Sequence, residues 1–450
     1  MPVTMSVMTQ ASDDLPLTAG FSCRASVPPV SAVSIGLAVG VGIIAGVAGL
    51  LQQAGVLPDA LNRQAVWFHP VAMLLFVAVP AFLGGFGRLF LARELADSTQ
   101  DNGGLASLPR MDAISLVLML TSLAIFISGK GTENSVAAGL LVWSLGAVLQ
   151  ATAIITIILD SCARAGSVAL RGYDKHPQVA AFSLLVWTQL FAATGLLFAA
   201  PVLAASATRA LLGFSGMESI FSSFAMPVTL IVLVAAFGLA AQIFDSAVPP
   251  SARSRLIAAA VAGITADGGA VVWARGIFAH QPQSMIMLGV SCLAFVASLA
   301  FAGLWMRTLW CRTVSLHKRA GVPLLWVSAF FVLLAGGWCM EMKSGQGLHT
   351  AVLSGAVFVL FGAFYSWLET ASDTRYSTGL ARFQFALLFA GALLSAAGGV
   401  VAHSPIQIAG DAAMAVSLGV FLAVLVSALK QHEMGTRLQE PLFSGVEKTR

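Results

Sequence analysis

Apolar runs of about 20 residues, long enough to cross a bilayer, recur twelve times along this chain. They cover 31–52, 66–92, 112–129, 136–158, 178–205, 222–245, 255–279, 285–305, 322–340, 348–368, 380–402 and 410–429. Short connections rich in Gly, Pro, Ser and Asp separate them. Backbone groups in lipid need hydrogen-bond partners within their own segment, so each run predicts an α-helix. The expected fold is all-α: a polytopic membrane bundle of twelve transmembrane helices in one domain over 31–430. It is flanked by a polar segment over 1–30 and a tail over 431–450. The first 30 residues hold one basic side chain, Arg24, and no short apolar core of the cleaved-signal type, so the first helix is expected to be retained.

Composition sharpens this reading. Charged residues make up 10% of the chain and hydrophobic ones 58%, whereas a soluble domain carries roughly 25% charged residues. A soluble enzyme is excluded. No basic patch interleaves with aromatics, which argues against nucleic acid as a partner and leaves lipid. With the N-terminus inside, inner loops and tails hold about nineteen of the 24 Lys and Arg residues. That asymmetry predicts a cytoplasmic (inner) membrane protein with both termini cytoplasmic. The five cysteines form no CxxC pair and read as small packing residues.

Of the seven histidines, His176, His317 and His432 fall in inner loops or the tail, and His280 and His403 at outer helix ends. His69 and His349 open the second and tenth helices, and the topology puts both just inside the outer face. Two imidazoles at one depth suit axial ligation of a heme iron. Two interfacial histidines bonded to loop carbonyls fit their positions as well.

The neighbouring sequence adds a resemblance. The stretch His69-Pro-Val-Ala-Met73, with Phe76, Pro80-Ala81 and Gly84-Gly85-Phe86-Gly87, resembles the second helix of subunit I of the heme–copper oxidases (cytochrome c oxidase), H-G-x-x-M-x-x-F-x-x-x-P-A-x-x-G-G-F-G, without a gap. Leu108-Pro109-Arg110-Met111-Asp112 is similar to the family's F-P-R-M-N. Gly347-Leu348-His349-Thr350, Gly355-Ala356-Val357-Phe358 and Tyr365-Ser366-Trp367 resemble its H-F-H-Y, G-A-V-F and Y-Y-W. Pro323-Leu324-Leu325-Trp326 looks like its entry to the ninth helix. The likeness runs from about residue 31 to 430. It implies a subunit I-like bundle with His69 and His349 as the ligands of a low-spin heme.

The departures are as informative. The family's high-spin heme ligand is replaced by Gly347. Its H-P-E-V-Y becomes Met226-Pro227-Val228-Thr229-Leu230, and its V-W-A-H-H-M-F becomes Val272-Trp273-Ala274-Arg275-Gly276-Ile277-Phe278. A thioether beside a guanidinium is a poor site for a divalent metal, so no copper is expected. The lysine expected in the eighth helix aligns with Phe301 and the acid after the second helix with Leu105. The resemblance therefore implies a degenerate member without oxygen reduction or proton pumping.

Arg275 and Asp267 stand eight residues apart on the seventh helix and are read as sharing a face. Arg275 could fill the vacated pocket with Asp267, reach the membrane interface, or pair with a heme propionate. The family's propionate-binding arginines after the eleventh helix are missing, which makes Arg63 a substitute, or else a solvated loop charge. No Arg occupies the first helix, which favours heme b over heme a. Trp67, Trp273 and Trp338 read as an interfacial belt. The expected function is electron transfer or anchoring inside a respiratory complex, without catalysis by this chain alone. Its expected partners are other membrane and extracytoplasmic redox subunits, such as a c-type cytochrome or a dehydrogenase. The alternative is a heme-free structural or assembly subunit. A catalytic oxidase, a nitric oxide reductase and a transporter fit the residues less well.

Overall fold

The structure, a computed structural model, describes residues 28–96, 108–129, 132–171, 182–214, 217–247, 251–279, 283–311, 321–344, 347–371, 376–401 and 404–443. Every regular element among them is helical: α1 (Pro29–Gln53), α2 (Asp59–Val71), α3 (Phe86–Ala96), α4 (Leu108–Ser128), α5 (Glu133–Arg171), α6 (Leu184–Leu211), α7 (Met217–Ala247), α8 (Ala252–Phe278), α9 (Gln283–Cys311), α10 (Gly321–Ser344), α11 (Gly347–Ala371), α12 (Thr378–Val400) and α13 (Ser404–Phe443). Among the described residues, twelve stretches are long and apolar enough to cross a membrane. The chain is a multi-pass, all-α membrane protein, as its hydrophobic pattern requires.

The spans differ from expectation mainly at their ends, where polar caps decide. The run expected from 178 becomes a helix at Leu184, because Ser183 is extended and its Oγ accepts the Val186 N–H at 3.4 Å; residues 178–181 lie outside the described residues. That helix continues through Pro201 to Leu211. It closes at Gly213, whose φ of +79° lets the Phe214 N–H return to Arg209 O at 3.0 Å. At the other end of the chain, α13 carries on to Phe443, so most of the expected tail continues the last helix. The segment expected over 1–30 lies almost wholly outside the described residues.

Neighbours in sequence pack as hairpins: α4 on α5, α5 on α6, α6 on α7, α8 on α9, α10 on α11 and α12 on α13. Burial then separates centre from rim. The Phe68–Leu95 and Phe224–Asp245 spans are 83% and 89% buried, while Arg110–Ser128 and Pro405–Ala428 are 22% buried. The second and sixth spans are therefore walled in by protein, and the rim spans keep their apolar faces for lipid.

The second span is not a uniform α-helix. Between α2 and α3 the chain widens into π turns over Ala72–Ala78 and Pro80–Gly85. The winding passes over carbonyls. In the first π stretch the Val79 N–H bonds Leu74 O; the next residue, Pro80, has no N–H, so Leu75 O gets no helical partner. At the end of the second, the Phe86 N–H bonds Ala81 O before the α pattern resumes, leaving Phe82 O behind. Both carbonyls are capped from neighbouring helices. The Trp143 indole N–H of α5 donates to Leu75 O at 3.0 Å, and the Gln189 amide of α6 donates to Phe82 O at 3.3 Å.

One ion pair ties this rod to the next. Arg88 of α3 and Asp112 of α4 meet at 2.7 Å with side chains only 13% and 11% exposed. Stripping one partner from a buried pair costs about 3–5 kcal/mol, whereas replacing both by apolar residues is close to neutral. Asp112→Leu alone is expected to lower the melting temperature of the detergent-solubilised protein sharply. The double variant Arg88→Leu/Asp112→Leu should return it most of the way, as read by tryptophan fluorescence on heating.

Candidate functional site

His69 lies near the end of α2, just before the π turns, with a half-buried ring whose Nδ1 is 2.9 Å from Ala45 O on α1. A carbonyl only accepts, so Nδ1 carries the hydrogen of this bond and Nε2 is left outside it. Gly49, one turn along α1, makes room: a Cβ there would stand 2.9 Å from Nδ1 and 3.1 Å from Cε1. The carbonyl belongs to a helix, not to a loop. A ring N–H donated to a backbone carbonyl is the arrangement that orients metal-ligating histidines.

His349 sits in the first turn of α11; its side chain lies outside the described residues. The backbone sets its level. Phe86 of α3 and Phe364 of α11 meet edge to face at 6.5 Å between ring centroids. In a bundle of alternating spans, the second and tenth run the same way. Counting back, 86 − 69 gives 17 residues to His69 and 364 − 349 gives 15 to His349. With part of the longer stretch π-wound, the two positions stand at a similar level.

The two arginines stand differently. Arg63 falls on α2 rather than in a loop, and its side chain lies outside the described residues. Arg275 is exposed on α8 and does not fill an interior pocket. Its expected partner, Asp267, is half-buried and accepts from the Thr194 hydroxyl of α6 at 2.7 Å instead. Eight residues turn a helix about 80° past two full turns, so the two side chains diverge and the shared-face reading fails.

The α7 positions singled out by the resemblance, and Gly276 of α8, are packed against apolar neighbours. Val228 and Leu230 are fully buried and Met226 packs against the core. The Leu230 side chain lies where a Cβ on Gly269 of α8 would go, and Ile286 of α9 lies where a Cβ on Gly276 would go. Phe224 contacts both Trp143 and Trp273, at 5.9 and 5.7 Å between centroids. Trp273 is 1% exposed, so it is a core residue and not part of an interfacial belt. Trp338 meets Phe295 edge to face, and the Trp67 side chain lies outside the described residues. Phe301, at the expected lysine position, lies face to face with Phe237 at 4.2 Å. Among the described residues no three His, Cys, Asp or Glu side chains converge on a metal position.

Several groups here have weak sequence signals. Trp143 falls in the middle of its span, where an interfacial role cannot place it. Gly49 is one of several glycines on α1, and only the ring against it singles it out. Asp411 of α13 bonds the Ser395 hydroxyl and lies within electrostatic reach of His69.

Fold and site together define a polytopic helical membrane protein built around a π-wound, histidine-bearing helix beside an aromatic-filled centre. No family profile matches the chain. It is 24% identical over 391 residues to "Cytochrome c oxidase subunit 1" of Cereibacter sphaeroides, spanning 73% of this chain and 65% of that protein. It is 22% identical over 375 residues to "Cytochrome c oxidase subunit 1" of Eremothecium gossypii, spanning 72% of this chain and 67% of that one. The chain thus covers about two thirds of the length of these relatives. The likeness supports a distant relation to subunit I of the heme–copper oxidase type.

The capped carbonyls generate a test. Trp143→Phe keeps the ring contacts but leaves Leu75 O buried without a donor, at about 1–3 kcal/mol. The variant is expected to fold with a lowered melting temperature. An unchanged value would mean that the indole bond contributes nothing.

Proposed function

We propose that this chain is a membrane subunit that holds one low-spin heme between His69 and His349, has lost the oxygen-reducing metal centre, and passes single electrons within a larger redox complex. The observation that carries the reading is the His69 tautomer: Nδ1–H is committed to Ala45 O at 2.9 Å, which leaves Nε2 as a preset donor to iron. The similar level of His349 on a parallel helix supports it as the second ligand. When bound, the heme would supply a one-electron couple, and with both axial positions filled it would leave no place for oxygen. The protein's part is to orient and to exclude water. Gly49 lets the ring close on α1, and the capped π turns hold the helix that carries it.

The packing of Leu230 against Gly269 and of Ile286 against Gly276 supports the absence of a second metal centre, copper included. Heme b fits better than heme a, because α1 carries no arginine. The proposed setting is a cytoplasmic membrane with both termini inside. The heme would then lie toward the outer face, within reach of an extracytoplasmic c-type cytochrome or dehydrogenase subunit.

Absorption spectroscopy of the purified chain tests this. Sharp reduced-state α and β bands and a pyridine hemochrome are expected, with no shift on adding carbon monoxide. His69→Ala and His349→Ala should each abolish the low-spin bands while the protein still inserts and elutes as a folded bundle. Gly49→Val, which pushes the ring off α1, should do the same. A folded chain without heme absorbance would overturn the proposal in favour of a heme-free scaffold. A carbon monoxide shift would instead point to an open iron site.

A further inference from the structure

At the end of the second span remote from His69, a small cavity lies between α1, α3, α4 and α5. Its polar lining is Ser34, Arg88, Asp112, Ser115 and Gln150. Two of these groups lack partners within the protein. Gln150 is only 6% exposed and its Oε1 is buried without a donor; Arg88 donates to Asp112 through its terminal nitrogen, but its Nε is buried without an acceptor. A free acceptor and a free donor therefore line one cavity inside a membrane bundle, where leaving either unmet is costly.

The space available is about 10 Å³ for the centre of a water-sized sphere, close to the least that holds one water molecule. Charge narrows the choice of occupant. The Arg88–Asp112 pair is neutral overall, so a cation would meet the guanidinium and an anion the carboxylate. A water can accept from Arg88 Nε and donate to Gln150 Oε1 at once, with a hydrogen left for the carboxylate or the Ser34 hydroxyl. Ser115 is already committed, donating to Gly146 O at 2.7 Å. Gly84 keeps the cavity as it is, since a Cβ there would run into the Gln150 amide and stand 2.9 Å from Ser34 Oγ.

We infer that this cavity is a binding site for a single water molecule that bridges Arg88 Nε and Gln150 Oε1 and completes the hydrogen bonding of the buried ion pair. The water joins four helices through one closed polar knot.

Two measurements on the full-length protein in detergent or nanodiscs test this. A high-resolution cryo-EM map of the wild type should show an isolated peak within hydrogen-bond distance of both Arg88 Nε and Gln150 Oε1. An empty cavity, or a peak coordinated by Asp112 alone, overturns the inference. Gln150→Met, close in shape but without polar atoms, gives an independent sign. With water present the wild-type Oε1 is satisfied, so the variant should melt a few degrees lower. In a dry cavity the same substitution removes an unmet acceptor and should leave stability unchanged or raised, which again overturns the inference. Where the two disagree, the map decides.

Discussion

A backbone carbonyl inside a bilayer has no water to turn to, and the second span passes over two of them. Leu75 O and Phe82 O are left by the π winding between α2 and α3, and the Trp143 indole and the Gln189 amide cap them. Much of the centre follows from this requirement. The caps come from α5 and α6, so those helices must lie against the second span. Each π turn adds a residue to the helical count, which rotates everything beyond it by about 100° relative to an unbroken α-helix. The face that Arg88 presents is thereby shifted relative to that of His69.

The same demand explains the centre beside this rod. Gly269 and Gly276 leave notches on α8, and Leu230 of α7 and Ile286 of α9 fill them. Phe224, Trp143 and Trp273 close the space between. Protein interiors are packed near crystal density, so glycines on an inward helix face call for apolar volume from elsewhere. Large side chains from neighbouring helices supply it here.

Most of the fold could be read from the chain. Twelve apolar runs gave twelve spans, because in lipid a run of that length has one stable conformation. What stayed hidden were the features that depend on two helices at once. Proline at position 80 hints at irregular winding, but nothing local says that Trp143 would cap the carbonyl it leaves. Arg88 and Asp112 stand 24 residues apart, and only the packing of the bundle brings them together. The pairing read from spacing alone, Arg275 with Asp267, fails because Asp267 found Thr194 on α6. For the site, motif resemblance picked out His69, while the Ala45 carbonyl and the Gly49 notch emerged only when α1 was laid against α2.

Hydrogen-bonded acids of the spans include Asp112 with Arg88, Asp267 with Thr194, Asp411 with Ser395 near His69, and Glu94 with Gln242. Phe76, Phe82, Phe237 and Phe301 are all almost wholly buried. Proton transfer needs an unbroken succession of groups that both donate and accept, and these rings offer none. Electron transfer needs only donor and acceptor held at short distance in a rigid, dry medium. An interior packed with aromatic side chains is well suited to hold a redox group still. This is the physical sense in which the proposed low-spin heme suits this chain.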